Sequence, residues 1–413
     1  MLLYYIMPAK KQRGGRKLDV KQEVKKIEEE IINWRRDLHK IPELGDEVPL
    51  TTKYINDVLS QMGLTVKKYS NSGLSTVIEG KNLGPTIAFR ADIDALPIKE
   101  ETGLPFAAKN GMMHACGHDA HTAMLLGTAK VLSEHRNDLY GNVVLIFQPA
   151  EETTGGAETM IKEGCLMSPK ADCFFSLHIG SLFHSVGNGC IGVKKGSLMA
   201  SVSSFNVKIK GVGGHGAHPD KCVDPILISC EIIQSLQKLV SREINPIHGA
   251  VVTVGMIHGG NIVNVIPDEV SFGGTVRALT KEDAAHLEKR ITQMIPAIAS
   301  ANGGKADVSY KSYYPPTFND GEMTDFLEAC ATKIVGPQNV VHITEPSTGT
   351  EDVAYYINEV PGSFGMLGSW KAHDDGKFYP HHNSKFHLDE STFWIGSALF
   401  VQCALDFCKR VEE

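Results

Sequence analysis

His114-Ala115-Cys116-Gly117-His118-Asp119-Ala120-His121 is the stretch from which the rest of the chain can be read. Its eight residues hold three histidines, a cysteine and a carboxylate, in a chain with only 17 histidines among 413 residues. Soft and borderline donors packed this densely suit a divalent ion of the zinc or manganese type. Imidazole and thiolate coordinate only when deprotonated, and a cation enforces that state by lowering their pKa values. The plainer alternative is a helix start, with Asp119 charging the first turn and Ala120 to Leu132 continuing as helix through Met124, Leu125 and Ala129. Cys116 and His118, two apart and just ahead of a helix, favour the metal.

Upstream, residues 18–40 place Val20, Val24, Ile27, Ile31, Trp34 and Leu38 on one face of a helix that Pro42 stops. A second helix is expected over Thr51–Met62, ending at Gly63, followed by β-type runs at Leu64–Tyr69, Ser75–Glu79 and Thr86–Arg90. The last run leads into Asp92 and Asp94, which taken alone read as a capped turn. In open α/β sheets, however, ligands gather beyond the carboxyl ends of strands.

Downstream, Asn142–Phe147 is a continuous apolar run of the kind a buried parallel strand needs. It runs into Pro149-Ala150-Glu151-Glu152. Coming one helix and one strand after a ligand cluster, this pair reads as active-site carboxylates, one for metal and its neighbour for the water. Cys173–Leu177 ends in His178, the third strand end to deliver a metal-competent residue. Near the C-terminus, His381-His382-Asn383-Ser384 forms a polar loop before a final helix, Ser391–Cys408, and His382 can return to the metal.

Between these halves the pattern changes. Phe205, Val207 and Ile209 alternate, as in a strand with one buried face. A helix starts at Asp224-Pro225, strands follow at Val251–Met256 and Glu269–Ala278, a helix at Lys281–Ala299 and a strand at Asp307–Tyr310. This β-α-β-β-α-β order predicts a ferredoxin-like layer inserted over residues 201–311. The expected division is a disordered leader over 1–18, a first domain in two parts over 19–200 and 312–413, and the insert.

Composition limits the function. A length of 413 residues, 42% hydrophobic and 22% charged, describes a globular chain of two domains or one large one. A net charge of -7 provides no field for nucleic acid. No apolar run approaches the roughly 18 residues a membrane span needs. The nine cysteines are odd in number and lack CxxC spacing, which argues for reduced thiols and a cytoplasmic protein.

Rival motifs fail on context. Gly211-Val212-Gly213-Gly214-His215-Gly216 matches GxGxxG, but Pro219 follows and the helix begins only near Asp224, so no helix N-terminus meets a phosphate. G-x-S-x-G, P-C-x-x-C and HExxH are absent. What remains is Cys116, His118, Glu152, His178 and His382 as ligands with Glu151 free. Five ligands suit two ions sharing a water better than one tetrahedral ion.

These residues resemble the amidohydrolases that include aminoacylases, hippurate hydrolases and plant auxin–amino acid conjugate hydrolases, relatives of the dinuclear carboxypeptidases. The carriers are RADIDALPI (90–98), MHACGHDAHTA (113–123), FQPAEE (147–152), LH (177–178), GVGGHGAHP (211–219), GGNIVNVIPDE (259–269), GTVRAL (274–279), TED (350–352) and HHNSKF (381–386). The resemblance implies an α/β fold: a mixed-sheet catalytic domain sandwiched by helices, with an inserted ferredoxin-like α+β lid/dimerisation domain. It implies two divalent ions, zinc or manganese, on the five ligands, and Glu151 as catalytic base. It also implies that His215 reaches an active site from the lid, and that Asn264 and Arg277 hold the substrate's carboxylate. His381 stands where relatives often carry an apolar residue.

The expected reaction is hydrolysis of the amide bond of N-acyl-L-amino acids by a water shared between the ions, with no nucleic acid or membrane partner and a homodimer formed through the lid. Glu151 takes the proton and returns it to the leaving amine. A dipeptidase or carboxypeptidase on the same site is the alternative, and a catalytically silent metal-binding or regulatory protein is the second. Retention of Glu151 argues against the latter, since a pure binder needs no base.

Overall fold

The computed structural model describes residues 18–372 and 376–407. The expected leader lies outside them apart from Leu18. The chain forms two compact units. The first runs to Gly196 and resumes over Asn319–Thr344 and from Tyr355; the second is Ser197–Phe318 with Glu345–Ala354.

The helix expected over 18–40 is two helices, α1 (Val20–Lys26) and α2 (Glu28–His39), broken at Ile27. Its continuous apolar face hid the break. Asp19 caps α1, and Glu28, Glu29 and Glu30 open a new helix where its dipole favours negative charge. Helix α3 (Pro49–Gln61) begins on its proline.

Eight strands form the large sheet of the first unit: β1 (Val66–Lys68), β2 (Leu74–Glu79), β3 (Asn82–Asp92), β4 (Tyr140–Gln148), β5 (Cys173–Gly180), β6 (Ile191–Val193), β7 (Val340–His342) and β8 (Gly362–Gly368). Their order is β1-β2-β4-β3-β5-β8-β6-β7. The centre β4-β3-β5-β8 is parallel, whereas β2 runs antiparallel to β4 and β6 antiparallel to β8, so the sheet is mixed. The central strands are buried on both faces, as their unbroken apolar runs require.

Register aligns the carboxyl ends. Asp92 lies opposite Gln148, Arg90 opposite Ser176, and His178 opposite Met366. Helix α4 (His118–Glu134) is buried nearly all round, between the sheet, α2 and the last helix, Phe393–Phe407. Phe89, Phe175 and Phe400 meet there, each fully or almost fully buried and contributing roughly 2–3 kcal/mol. No helix among the described residues is long and apolar enough to cross a membrane.

The second unit carries a four-stranded antiparallel sheet in the order Ala250–Gly259, Glu269–Ala278, Val202–Lys210, Lys305–Tyr314. Helices Pro225–Lys238 and Lys281–Ala301 bury Ile228, Ile232, Leu287 and Ile291 with Phe205, Val207 and Ile209 of the sheet. Asp224 caps the first of these helices, accepting from the N–H groups of Ile226 and Leu227.

Candidate metal centre and active site

The aligned strand ends and the start of α4 bring five scattered side chains together. Gly117, at φ 98, caps α4 in a conformation that favours glycine, and it separates Cys116 from His118 at the helix start. Beyond β4, the Asp94 carboxylate accepts the backbone N–H groups of Glu151 (3.0 Å) and Glu152 (3.1 Å), which fixes that loop. His382 takes a left-handed φ of 64, and its N–H donates to the Ala115 carbonyl at 2.9 Å, tying the C-terminal loop to Cys116.

Cys116 Sγ lies 3.4 Å from His178 Nε2, His382 Nε2 is 3.1 Å from Glu152 Oε1, and His118 Nε2 is 3.9 Å from Glu152 Oε1. Cys116, Glu152 and His382 form one group whose donor atoms all lie within 4.8 Å of one another; His118, Glu151 and Glu152 form another.

Two observations fit this cluster to a metal. His118 Nδ1 is bonded to the Asp94 carbonyl and His178 Nδ1 to the Ile179 carbonyl, both at 2.9 Å. Each imidazole therefore donates from Nδ1 and turns Nε2 toward the site, the nitrogen that a metal ligand uses once it is deprotonated. Second, His118 Nε2 is buried without a hydrogen-bond partner, and it faces the buried Glu152 Oε1 at 3.9 Å. An unpaired buried nitrogen costs about 1–3 kcal/mol, and a cation held between the two atoms would remove that cost.

The electrostatics show a pocket that favours positive charge, a proton on His118 or a cation in its place. Burial opposes a charge on His118, but Asp92, Asp94 and Glu152 outweigh it and raise the ring to about 10. Burial and the nearby Glu152 and Glu151 push the Cys116 thiol well up. Burial, with the neighbouring His121, His381 and His118, drives His178 well down. The site is a negative pocket that calls for positive charge, and positive charge there would make Cys116 a thiolate.

Asp92 and Asp94 support the site, where the local sequence taken alone reads as a capped turn. Asp92 accepts from Arg90 (2.9 Å) and from His121 Nδ1, and the Ile179 N–H donates to His121 Nε2 at 2.8 Å. Both nitrogens of His121 are thus committed, and it holds Asp92 in place. His114, in contrast, is buried with neither ring nitrogen bonded, and burial pushes it down to about 3. Asp119 pairs with Arg35 (2.8 Å) and His39 (2.6 Å) of α2, and His39 reaches Glu100 at 3.2 Å. Arg35 and His39 were missed, although their i, i+4 spacing on α2 placed them on a common face.

His215, Asn264 and Arg277 all belong to the second unit. The short strand Gly214–His215 pairs with Val265–Ile266, and the Asn264 carbonyl accepts the Gly216 N–H at 2.9 Å. These contacts bring His215 and Asn264 into neighbouring loops. His215 is exposed, and its Nδ1 accepts from the Ala217 N–H. Arg277 lies on Glu269–Ala278 opposite Val251, partly buried, and that burial lowers its pKa.

Residues 88–406 match the sequence pattern of Peptidase family M20/M25/M40. The chain is 40% identical over 393 residues to N-acetyl-L-cysteine deacetylase of Bacillus subtilis, covering 94% of this chain and 90% of that protein. It is 35% identical to thermostable carboxypeptidase 1 of Saccharolobus solfataricus, covering 95% and 98%. The Bacillus subtilis YXEP protein, described as a dinuclear metal-binding peptidase from the M20 family, superposes with a TM-score of 0.78 at 35% identity, over 93% of this chain and 99% of that one.

Proposed function

We propose, for a chain that belongs to Peptidase family M20/M25/M40 and so is a metal-dependent amide hydrolase, that its substrates are N-acyl-L-amino acids. The observation that carries the reading is the convergence of the buried, unpartnered His118 Nε2 with Glu152, Cys116, His178 and His382. Those five residues would hold two divalent ions, zinc or manganese, which when bound would supply Lewis acidity and bring a water's pKa toward neutrality.

The chain's own groups do the rest. Glu151, buried next to the ligand Glu152, takes a proton from the attacking water and delivers it to the leaving amine. His215 donates to the developing oxyanion. Arg277 grips the amino acid carboxylate with two N–H groups, and Asn264 assists. These three act from an inserted ferredoxin-like domain over 201–311, which serves as lid and homodimer contact; the catalytic domain comprises 19–200 and 312–413. The eight described cysteines are all free, which supports a cytoplasmic setting.

The carboxypeptidase relative favours a second reading, peptide hydrolysis on the same site. A panel of N-acetyl amino acids, hippurate and dipeptides, assayed on protein reconstituted with zinc or manganese, separates the readings. The expected result is a kcat/KM for an N-acyl amino acid at least about tenfold above that for any dipeptide. A preference for dipeptides overturns the proposal in favour of the peptidase. No hydrolysis with both ions bound indicates a silent metal-binding protein.

A further inference from the structure

His381 lies among the candidate ligands but is not presented as one. The Ser181 backbone N–H donates to its Nε2 at 3.0 Å, so the neutral ring carries its proton on Nδ1. Nδ1 faces Cys116 Sγ at 3.8 Å. An N–H aimed at sulfur offers a hydrogen bond to a thiolate and no lone pair to a cation.

The ring has a built seat. Phe386 packs against it with centroids 4.5 Å apart, and the His178 ring meets it edge-on at 5.3 Å. Gly180, at φ 119, leaves the space the ring occupies: a Cβ there would lie 2.2 Å from His381 Nε2. The left-handed backbone at His382 turns two consecutive rings to different partners, His381 to Cys116 and His382 to Glu152.

We propose that His381 is a positioning residue for the Cys116 sulfur, donating Nδ1–H to the thiolate and so fixing its direction and drawing off part of its charge. The inference rests on Cys116 being a metal ligand. Partners that hold a ligand in this way typically account for 10- to 100-fold in metal affinity.

The test uses cobalt(II) as probe on the full chain and on His381→Leu, His381→Asn and Cys116→Ser. It reads cobalt stoichiometry, affinity against a competing chelator, and the sulfur-to-cobalt charge-transfer band. The leucine variant should keep the wild-type stoichiometry, lose roughly 10- to 100-fold in affinity, and shift the band to lower energy. The asparagine variant, whose amide N–H can stand near the Nδ1 position, should recover most of both. If the leucine variant does not fold, His381→Phe keeps a ring without a donor and carries the same expectation. Wild-type affinity and an unshifted band in the donor-less variant overturn the inference. So does the loss of one cobalt per chain in both His381 variants, which would make His381 a ligand itself. A wild-type protein whose spectrum matches that of Cys116→Ser overturns the Cys116 assignment, and this inference with it.

Discussion

Replacing Glu151 by glutamine removes a proton acceptor beside the ligands. The side chains match in size, and the loop is held by the Glu151 backbone N–H on Asp94 at 3.0 Å, a bond the substitution leaves intact. A positioned general base contributes about 10²- to 10⁴-fold, or roughly 3–5 kcal/mol of barrier. The surroundings place Glu151 at the upper end. It is 8% exposed, so bulk water is a poor replacement, and the adjacent Glu152 faces His382 at 3.1 Å. A loss near 10⁴-fold in kcat is expected, with KM little changed. The assay is release of free amino acid from an N-acetyl amino acid, run alongside elemental analysis of bound metal. A variant that keeps both ions and a kcat within about tenfold of wild type would refute the role given to Glu151.

Two further substitutions test the supports of the site. Asp94→Asn turns one of the two acceptors for the Glu151 and Glu152 N–H groups into a donor. Metal affinity should fall roughly 10- to 100-fold in a chelator competition, and unchanged affinity would show that the loop is held by other contacts. His39 is raised above its ordinary value of 6.5: burial and Arg35 oppose the charge, but Asp119 and Glu100 outweigh them. The folded state therefore holds this proton more tightly than the unfolded chain. The resulting stability is full below pH about 6.5 and is lost as pH rises through the raised pKa, by up to about 1.4 kcal/mol per pH unit. His39→Gln should flatten that decline in urea unfolding between pH 6 and pH 9, and an unchanged slope would count against the network.

Much of the architecture was legible along the chain because local chemistry sets it. Alternating Phe205, Val207 and Ile209 marked a half-buried strand, Asp224-Pro225 a helix start, and the apolar run Asn142–Phe147 a strand buried on both faces. The cluster Cys116, His118, Glu152, His178 and His382 was also readable, since unusual donors at successive strand ends have few other uses. Tertiary structure decided which of two neighbouring histidines faces which partner, why Gly180 is glycine, and which groups Asp92 and Asp94 hold. The physical reason is that a side chain's period and propensity depend on its nearest neighbours in sequence, whereas its protonation state, tautomer and hydrogen-bond partner depend on groups such as Ser181 and His381 that meet only after the sheet has formed.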